Sequence, residues 1–218
     1  MRIQTLISAL ALATLAVPAC AQQRQSTDEP AAPVSRPLAG MADQAIIVLP
    51  TRYLRTADSL GWAGQVPDER AWLVSVDDEI AFALRERGAA RRWTLPADLA
   101  RAARRNAAFA PDPSTIAADP VRPRGRQLQP RVPEPLISQL RSLIALRDDV
   151  RYALLPVEVR FEPAPEGRGR AVLHLVLVDV RRAEFVWALE VASESVAALS
   201  PALPASLGAR VADLIAAP

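Results

Sequence analysis

The chain has 218 residues, with 26 basic against 24 acidic side chains and a formal net charge of +2. This near balance provides no global basic field that would favour nucleic acid. With one histidine and one cysteine, the chain has neither a cysteine pair for a disulfide nor a histidine pair for a zinc site. Every basic residue is arginine, which we attribute to a high-GC genome rather than to function.

The first 21 residues have the pattern of an export signal. A basic start precedes an apolar run over residues 3–17, and residues 18–21 read PACA. The apolar run is shorter than the ~20 residues that a helix needs to cross a bilayer. The PACA segment fits a small-x-small site for release of residues 1–21. It also resembles a bacterial lipobox, in which residues 1–19 are removed and Cys20 is lipidated, so we expect a periplasmic or lipid-anchored envelope protein.

A linker separates this signal from the folded part. Residues 22–42 are rich in Gln, Pro, Ser and Ala and contain few large apolar side chains. Such a composition cannot bury enough surface to fold, so we interpret the stretch as flexible. Residues 43–218 are numerous enough for a single domain with its own core.

The first half of the domain alternates short strands with helices. Residues 45–49 (AIIVL) predict a buried strand. Over residues 68–88, apolar side chains recur every three or four positions, which predicts an amphipathic helix with Asp68 as its N-terminal cap. A short strand over residues 90–95 and a second helix over residues 97–108 follow.

Arginines near the second helix have two interpretations. They are Arg91, Arg92, Arg101, Arg104 and Arg105. One interpretation is a site for an anion such as phosphate or a lipid head group. The other is a solvated helix face, which is the more common origin of such a charge run.

Residues 110–133 are dense in proline and arginine and contain little that could form a core. Long segments of this kind are either functional or disordered. The candidate partner contacts in it are Arg122, Arg124, Arg126 and Arg131. Trp62, in a loop between two glycines, is either a core residue or an exposed anchor for the same partner.

The second half predicts a helix, three strands and a closing helix. Residues 136–144 have helical apolar spacing, and residues 152–162 alternate apolar with charged side chains. Residues 171–180 are apolar on both faces, as in an interior strand, and a short break leads into an alternating strand over residues 184–194. The element order predicts an α/β (α+β) two-layer sandwich, with a mixed sheet that ends in a three-strand antiparallel meander and helices packed on one face.

The tract over residues 175–193, LVLVDVRRAEFVWALEVAS, resembles the hairpin signature of the amino-terminal domain of TolB-like proteins and of the curli-secretion lipoprotein family. In those families, a strand ending in Asp-Val-Arg turns through a small residue into an acidic, Trp-containing strand. The matching residues here are Asp179, Val180, Arg181, Glu184, Val186 and Trp187. Ala183 replaces the glycine usual in that turn. The resemblance implies an envelope-associated, non-catalytic module that docks onto other proteins or assembles into oligomers.

The sequence offers little for catalysis. His174, the only histidine, lies in the most apolar strand, where a buried core position is favoured over a general base. No Gly-x-Ser-x-Gly elbow, P-loop or dinucleotide-binding glycine motif is present. Carboxylates that a glycosidase or a hard metal could use lie on polar sides of amphipathic elements, at Asp77, Asp78 and Glu79, at Asp148 and Asp149, and at Glu190 and Glu194. We expect no catalytic residue, cofactor or metal.

Three functions therefore remain. The leading hypothesis is an exported bacterial envelope protein with a non-catalytic protein-interaction or assembly module, whose partner is an envelope protein or a second copy. The alternative is a binder of an anionic ligand, lipid or glycan through surface arginines. An uncharacterised hydrolase is the least favoured.

Overall fold

The computed structural model describes residues 37–88, 91–123 and 129–215. Four α-helices lie in these ranges: α1 (Glu69–Glu86), α2 (Pro96–Arg105), α3 (Leu136–Ile144) and α4 (Ala202–Asp213). The strands are β1 (Ile46–Val48), β2 (Tyr53–Leu54), β3 (Trp93–Thr94), β4 (Tyr152–Ala164), β5 (Arg168–Asp179) and β6 (Glu184–Ala192). The export signal, most of the predicted linker, Cys20, Arg124 and Arg126 lie outside the described residues.

The six strands form one mixed sheet in the order β3-β1-β4-β5-β6, with β2 paired to β4. β1 is parallel to β3 and to β4, and β2 is parallel to β4 as well. β4 is antiparallel to β5, and β5 is antiparallel to β6, so the predicted meander is confirmed. β2 is too short to give a periodic signal, which is why the sequence pattern predicts only a loop there.

Both faces of the sheet are buried. Alternate strand residues point to opposite sides, and Ile46 and Val48 accordingly join a core with α1 and α4, whereas Ile47 and Leu49 join a second core with α2 and α3. The predicted α/β sandwich is confirmed, since helices pack against a mixed sheet. The helices are divided between the two faces instead of lying on one, because central strands that are apolar on both sides need cover on both.

The proline- and arginine-rich segment supplies part of the second core. Ile116, Val121 and Val132 are all buried there, together with Ala110 and Ala118. The described parts of this segment, residues 110–123 and 129–133, therefore pack against the sheet. The expectation that it contains little that could form a core is wrong, because Ile116, Val121 and Val132 are spaced so that each joins the second core.

Two bulges adjust the long strands. Pro156 predicts either an edge position or a bulge, and the register shift between Pro156 and Glu158 confirms the bulge, although β4 is an interior strand. In β6 the register shifts at Val186, so Phe185 packs with the second core and Trp187 with the first. Each bulge inserts one residue and so reverses which side chains face which core.

The turn between β5 and β6 is organised by Asp179. Its carboxylate accepts hydrogen bonds from Arg151 Nε at 2.8 Å and from the Arg182 backbone N–H at 3.1 Å. Burial by itself raises the pKa of Asp179, but these two donors favour the ionised form and hold the pKa below its ordinary value. Ala183 follows with a φ of +57°, the left-handed conformation that a glycine adopts without strain.

Replacing Ala183 with glycine should therefore stabilise the protein. An L-residue in this region is strained by ~1–2 kcal/mol, and the greater freedom of glycine in the unfolded chain offsets part of that gain. We expect Ala183→Gly to raise the free energy of unfolding by about 0.5–1 kcal/mol in urea titrations. The matched control is Ala145→Gly at an ordinary φ of −65°, which should lower it by a similar amount. Destabilisation by both changes would contradict the strain at Ala183.

Candidate functional site

A buried carboxylate lies where β4 emerges from its bulge. The Glu158 side chain is 1% exposed, although its place in an alternating strand predicts a solvated position. Its Oε1 accepts from Arg55 Nε at 2.8 Å, and its Oε2 accepts from Arg122 Nε at 2.7 Å. The Nη2 atoms of both arginines contact the same two oxygens. Two guanidinium groups thus compensate one buried charge, as the burial of an ion requires.

Arg122 also connects the proline- and arginine-rich segment to β2. Its guanidinium carbon lies 4.4 Å from the centroid of the Tyr53 ring, a cation–π distance. The Tyr53 hydroxyl donates to Asp119 Oδ2 at 3.2 Å, and Arg55 donates to the Pro123 carbonyl at 3.2 Å. The segment is therefore held by charged and aromatic contacts at residues 119–123, next to its apolar contacts in the second core.

Glu158, His174 and Glu190 lie directly opposite one another on β4, β5 and β6. Glu190 is paired with Arg160 through two hydrogen bonds of 2.8 Å, which are the main cause of its lowered pKa. His174 is 8% exposed, and burial lowers the pKa of its imidazole. Its Nδ1 atom has no hydrogen-bond partner among the described residues and lies beneath the protein surface.

The described contacts of this row of polar residues are internal to the domain. Both oxygens of Glu158 accept hydrogen bonds from arginines, and His174 Nδ1 is not accessible to a substrate.

Asp77 on α1 is the one buried residue of the acidic clusters noted in the sequence. Its carboxylate accepts hydrogen bonds from the N–H and the hydroxyl of Thr51 at 2.8 and 2.6 Å. Burial raises the pKa of Asp77 to about 6, and the Thr51 donors counteract part of this effect.

The residues selected from sequence as partner contacts do not converge. Trp62 is 7% exposed and packs edge-on against Phe161 with a centroid distance of 5.7 Å, so its ring is a core element. The Arg122 side chain is paired with Glu158. The Arg131 backbone forms an isolated antiparallel β-bridge with Glu184 at the start of β6. A partner role for these side chains stays a prediction, and Arg124 and Arg126 are outside the described residues.

A different surface has the properties of a contact site. We define the α1 groove as the apolar depression of about 410 Å³ lined by Trp72, Ser75, Glu79, Leu199, Ser200, Pro201 and Pro204. The Trp72 ring packs edge-on against the Phe161 ring, with the two ring centroids 5.4 Å apart. Phe82, one turn beyond Glu79 on the same side of α1, is 59% exposed, and Val74 is 40% exposed.

The signal for this surface was present in the sequence. The apolar stripe of α1 that faces the core is complete without Phe82, so a large apolar residue there stands among polar positions. The exposed large apolar side chains in the described ranges are Val74, Phe82, Phe109 and Val186, and the first two lie on α1. A large exposed apolar side chain beside a concavity is a feature of interaction sites.

By architecture, the chain is an α/β sandwich domain with a mixed sheet. No protein-family profile matches its sequence, and a search of curated proteins gives no significant match. The chain is similar in structure to the PelC dodecamer from Paraburkholderia phytofirmans, at 14% identity over 80% of this chain and 89% of that one, with a TM-score of 0.39. It is also similar to the LpoB C-terminal domain from Salmonella enterica, at 12% identity over 72% and 93% with a TM-score of 0.38, and to E. coli LpoB, at 11% over 89% and 85% with a TM-score of 0.34.

Likenesses at this level carry no argument about function. No family profile supports the resemblance to TolB-like and curli-secretion proteins. Within the described ranges, no helix has the length and hydropathy of a membrane span, and no group of His, Cys, Asp and Glu side chains could hold a metal ion.

Glu158 should be critical for stability. In Glu158→Gln, two guanidinium groups lose the charge that compensates them, and we expect the free energy of unfolding to fall by about 2–4 kcal/mol. Glu162→Gln is the matched control, because Glu162 also contacts two arginines but is 30% exposed. Its loss should amount to about 0–1 kcal/mol. Equal losses for the two variants in urea titrations would contradict the role given to Glu158.

His174 should titrate below the ordinary histidine value. Because it is the only histidine, its ring protons in an untagged chain give an unambiguous NMR titration. We expect a pKa below 6.5, because burial disfavours the imidazolium form. The stabilisation that His174 provides is then complete above pH 6.5 and is lost as the pH falls through the lower, folded-state pKa.

The Glu190→Gln variant supplies the control for this titration. The Glu190 charge raises the pKa of His174, whereas Arg160 lowers it. Removing that carboxylate should therefore lower the pKa of His174 further. An imidazole that titrates at 6.5 or above in the native chain would contradict burial as the dominant influence on the pKa of His174.

Proposed function

We propose that this chain is an exported envelope protein whose α/β domain is a non-catalytic module that binds another protein through the α1 groove. The observation that carries the proposal is a concave apolar surface on α1, with the exposed ring of Phe82 three residues beyond its lining residue Glu79. The pattern of an export signal over residues 1–21 supports the location.

The chemistry of the α1 groove fits an apolar anchor from a partner. Its volume of about 410 Å³ is enough for one or two large side chains. The wall is formed by Trp72 and by Pro201 and Pro204 at the start of α4, and prolines lose little entropy when they are buried. Glu79 and Ser75 supply a polar margin, as interface rims commonly have.

The partner is a second protein or a second copy of this chain. Both would cover Phe82, whose burial is worth about 1.5–3 kcal/mol when it is complete. The two cases differ in the mass of the complex and in whether purified protein associates without other components. In either case, the module acts by binding. This agrees with the internal ion pairs of Glu158 and the burial of His174.

Photo-crosslinking from the native envelope tests the proposal. A benzophenone amino acid at position 82 should crosslink to a discrete partner, and the same amino acid at position 109 should not. Phe109 is the matched control because it is 81% exposed but follows α2, away from the α1 groove. The mass of the adduct separates a second copy from a different protein.

Alanine variants at the same two positions measure how much each side chain contributes to the affinity. Phe82→Ala should weaken the crosslinked complex at least tenfold, as expected for a central aromatic contact. Phe109→Ala should leave its affinity within about twofold. No crosslink at position 82, or equal weakening by both variants, would overturn the assignment of this surface.

A further inference from the structure

A basic groove lies at the opposite end of the sheet, where the parallel strands begin. It encloses about 450 Å³ and is lined by Arg91, Arg92 and Arg147 among other residues. Its floor comes from Ala45 before β1 and Val150 before β4. Three guanidinium groups from two separate parts of the chain therefore share one concave surface.

These arginines are available to a ligand. Arg92 donates from Nη1 to the Asp43 carbonyl at 2.9 Å, which positions its side chain without neutralising it. In the described ranges, no carboxylate lies within ion-pair distance of Arg91 or Arg147. Among the described residues of the lining, Asp148 is the only acidic one, so these residues together carry a net positive charge.

The arginines of α2 provide a contrast. Arg101 pairs with Asp98 at 2.8 Å, and both side chains are largely exposed on the helix surface. Arg104 and Arg105 are exposed in the last turn of α2, where a positive charge offsets the helix dipole. Of the five arginines grouped by the sequence, only Arg91 and Arg92 contribute to the groove.

We propose that this groove binds a phosphoryl oxyanion, presented either as free phosphate or as the phosphate of a lipid head group. Guanidinium groups pair with phosphate oxygens through two parallel hydrogen bonds, and several of them around one concavity can coordinate a single anion. The volume of about 450 Å³ accommodates a phosphate with a small attached group. This site is separate from the α1 groove and does not depend on the proposed protein partner.

The proposed anion has two possible sources. A head-group phosphate and a free phosphate make the same contacts, so the experiment has one arm for each.

The mature full-length chain is titrated with inorganic phosphate and followed by NMR. In parallel, it is mixed with vesicles of phosphatidylglycerol and phosphatidylcholine, and with vesicles of phosphatidylcholine alone. The test variant is Arg91→Gln with Arg147→Gln. The matched control is Arg104→Gln with Arg105→Gln, which removes the same charge from the exposed surface of α2.

We expect saturable phosphate binding that weakens with rising salt. The groove variant should lose at least tenfold in affinity for phosphate, and the affinity of the control variant should change less than twofold. Groove-dependent binding to the anionic vesicles as well identifies a head group as the source, and phosphate binding alone identifies a free anion. Absence of saturable binding to both probes, or equal losses in the two double variants, overturns the proposal. Phe82→Ala should leave phosphate binding unchanged, so failure here is distinguishable from failure of the protein-binding proposal.

Discussion

The burial of Glu158 is the constraint on which the second half of the fold depends. A carboxylate inside a sheet is strongly unfavourable unless charged donors surround it. Arg55 reaches it from the residue after β2, and Arg122 reaches it from the proline- and arginine-rich segment. The pairing therefore determines where that segment crosses the sheet, and its apolar residues complete the second core at the same place. A segment with the composition of a loop becomes part of the domain because one buried charge needs it.

Much of the fold could be predicted from periodicity, because periodicity reports on local geometry. The cap at Asp68 and the left-handed stop at Gly88 bound α1 as the sequence indicates, and the apolar β5 is interior. Glu158 could not be predicted, because an alternating strand gives the same pattern whether its polar face meets water or two arginines. The division of helices between two faces was missed for the same reason, since periodicity identifies an apolar stripe but not the face of the sheet it covers.

The candidate sites show the same difference between what local sequence indicates and what depends on the topology of the sheet. Trp62, Arg122 and His174 attract attention in the sequence because of their chemistry, and the structure commits each of them to packing or to an internal pair. The surfaces that remain available combine residues distant in sequence. Arg147 joins Arg91 and Arg92 only because α3 ends beside the start of β3. Such convergence depends on sheet topology, which single-sequence patterns do not contain.

The α1 groove is suited to binding because the helix behind it is firmly fixed. The inner side of α1 is held by Leu73, Val76 and Ile80 in the first core, and Asp77 is hydrogen-bonded to Thr51 after β1. At its C-terminal end, Arg87 pairs with Asp213 of α4. A helix fixed at these points holds the backbone of position 82 in place, so a partner does not have to order it. The exposed aromatic ring thus combines a rigid support with an adjacent concavity, and the polar groups inside the domain serve to maintain that arrangement.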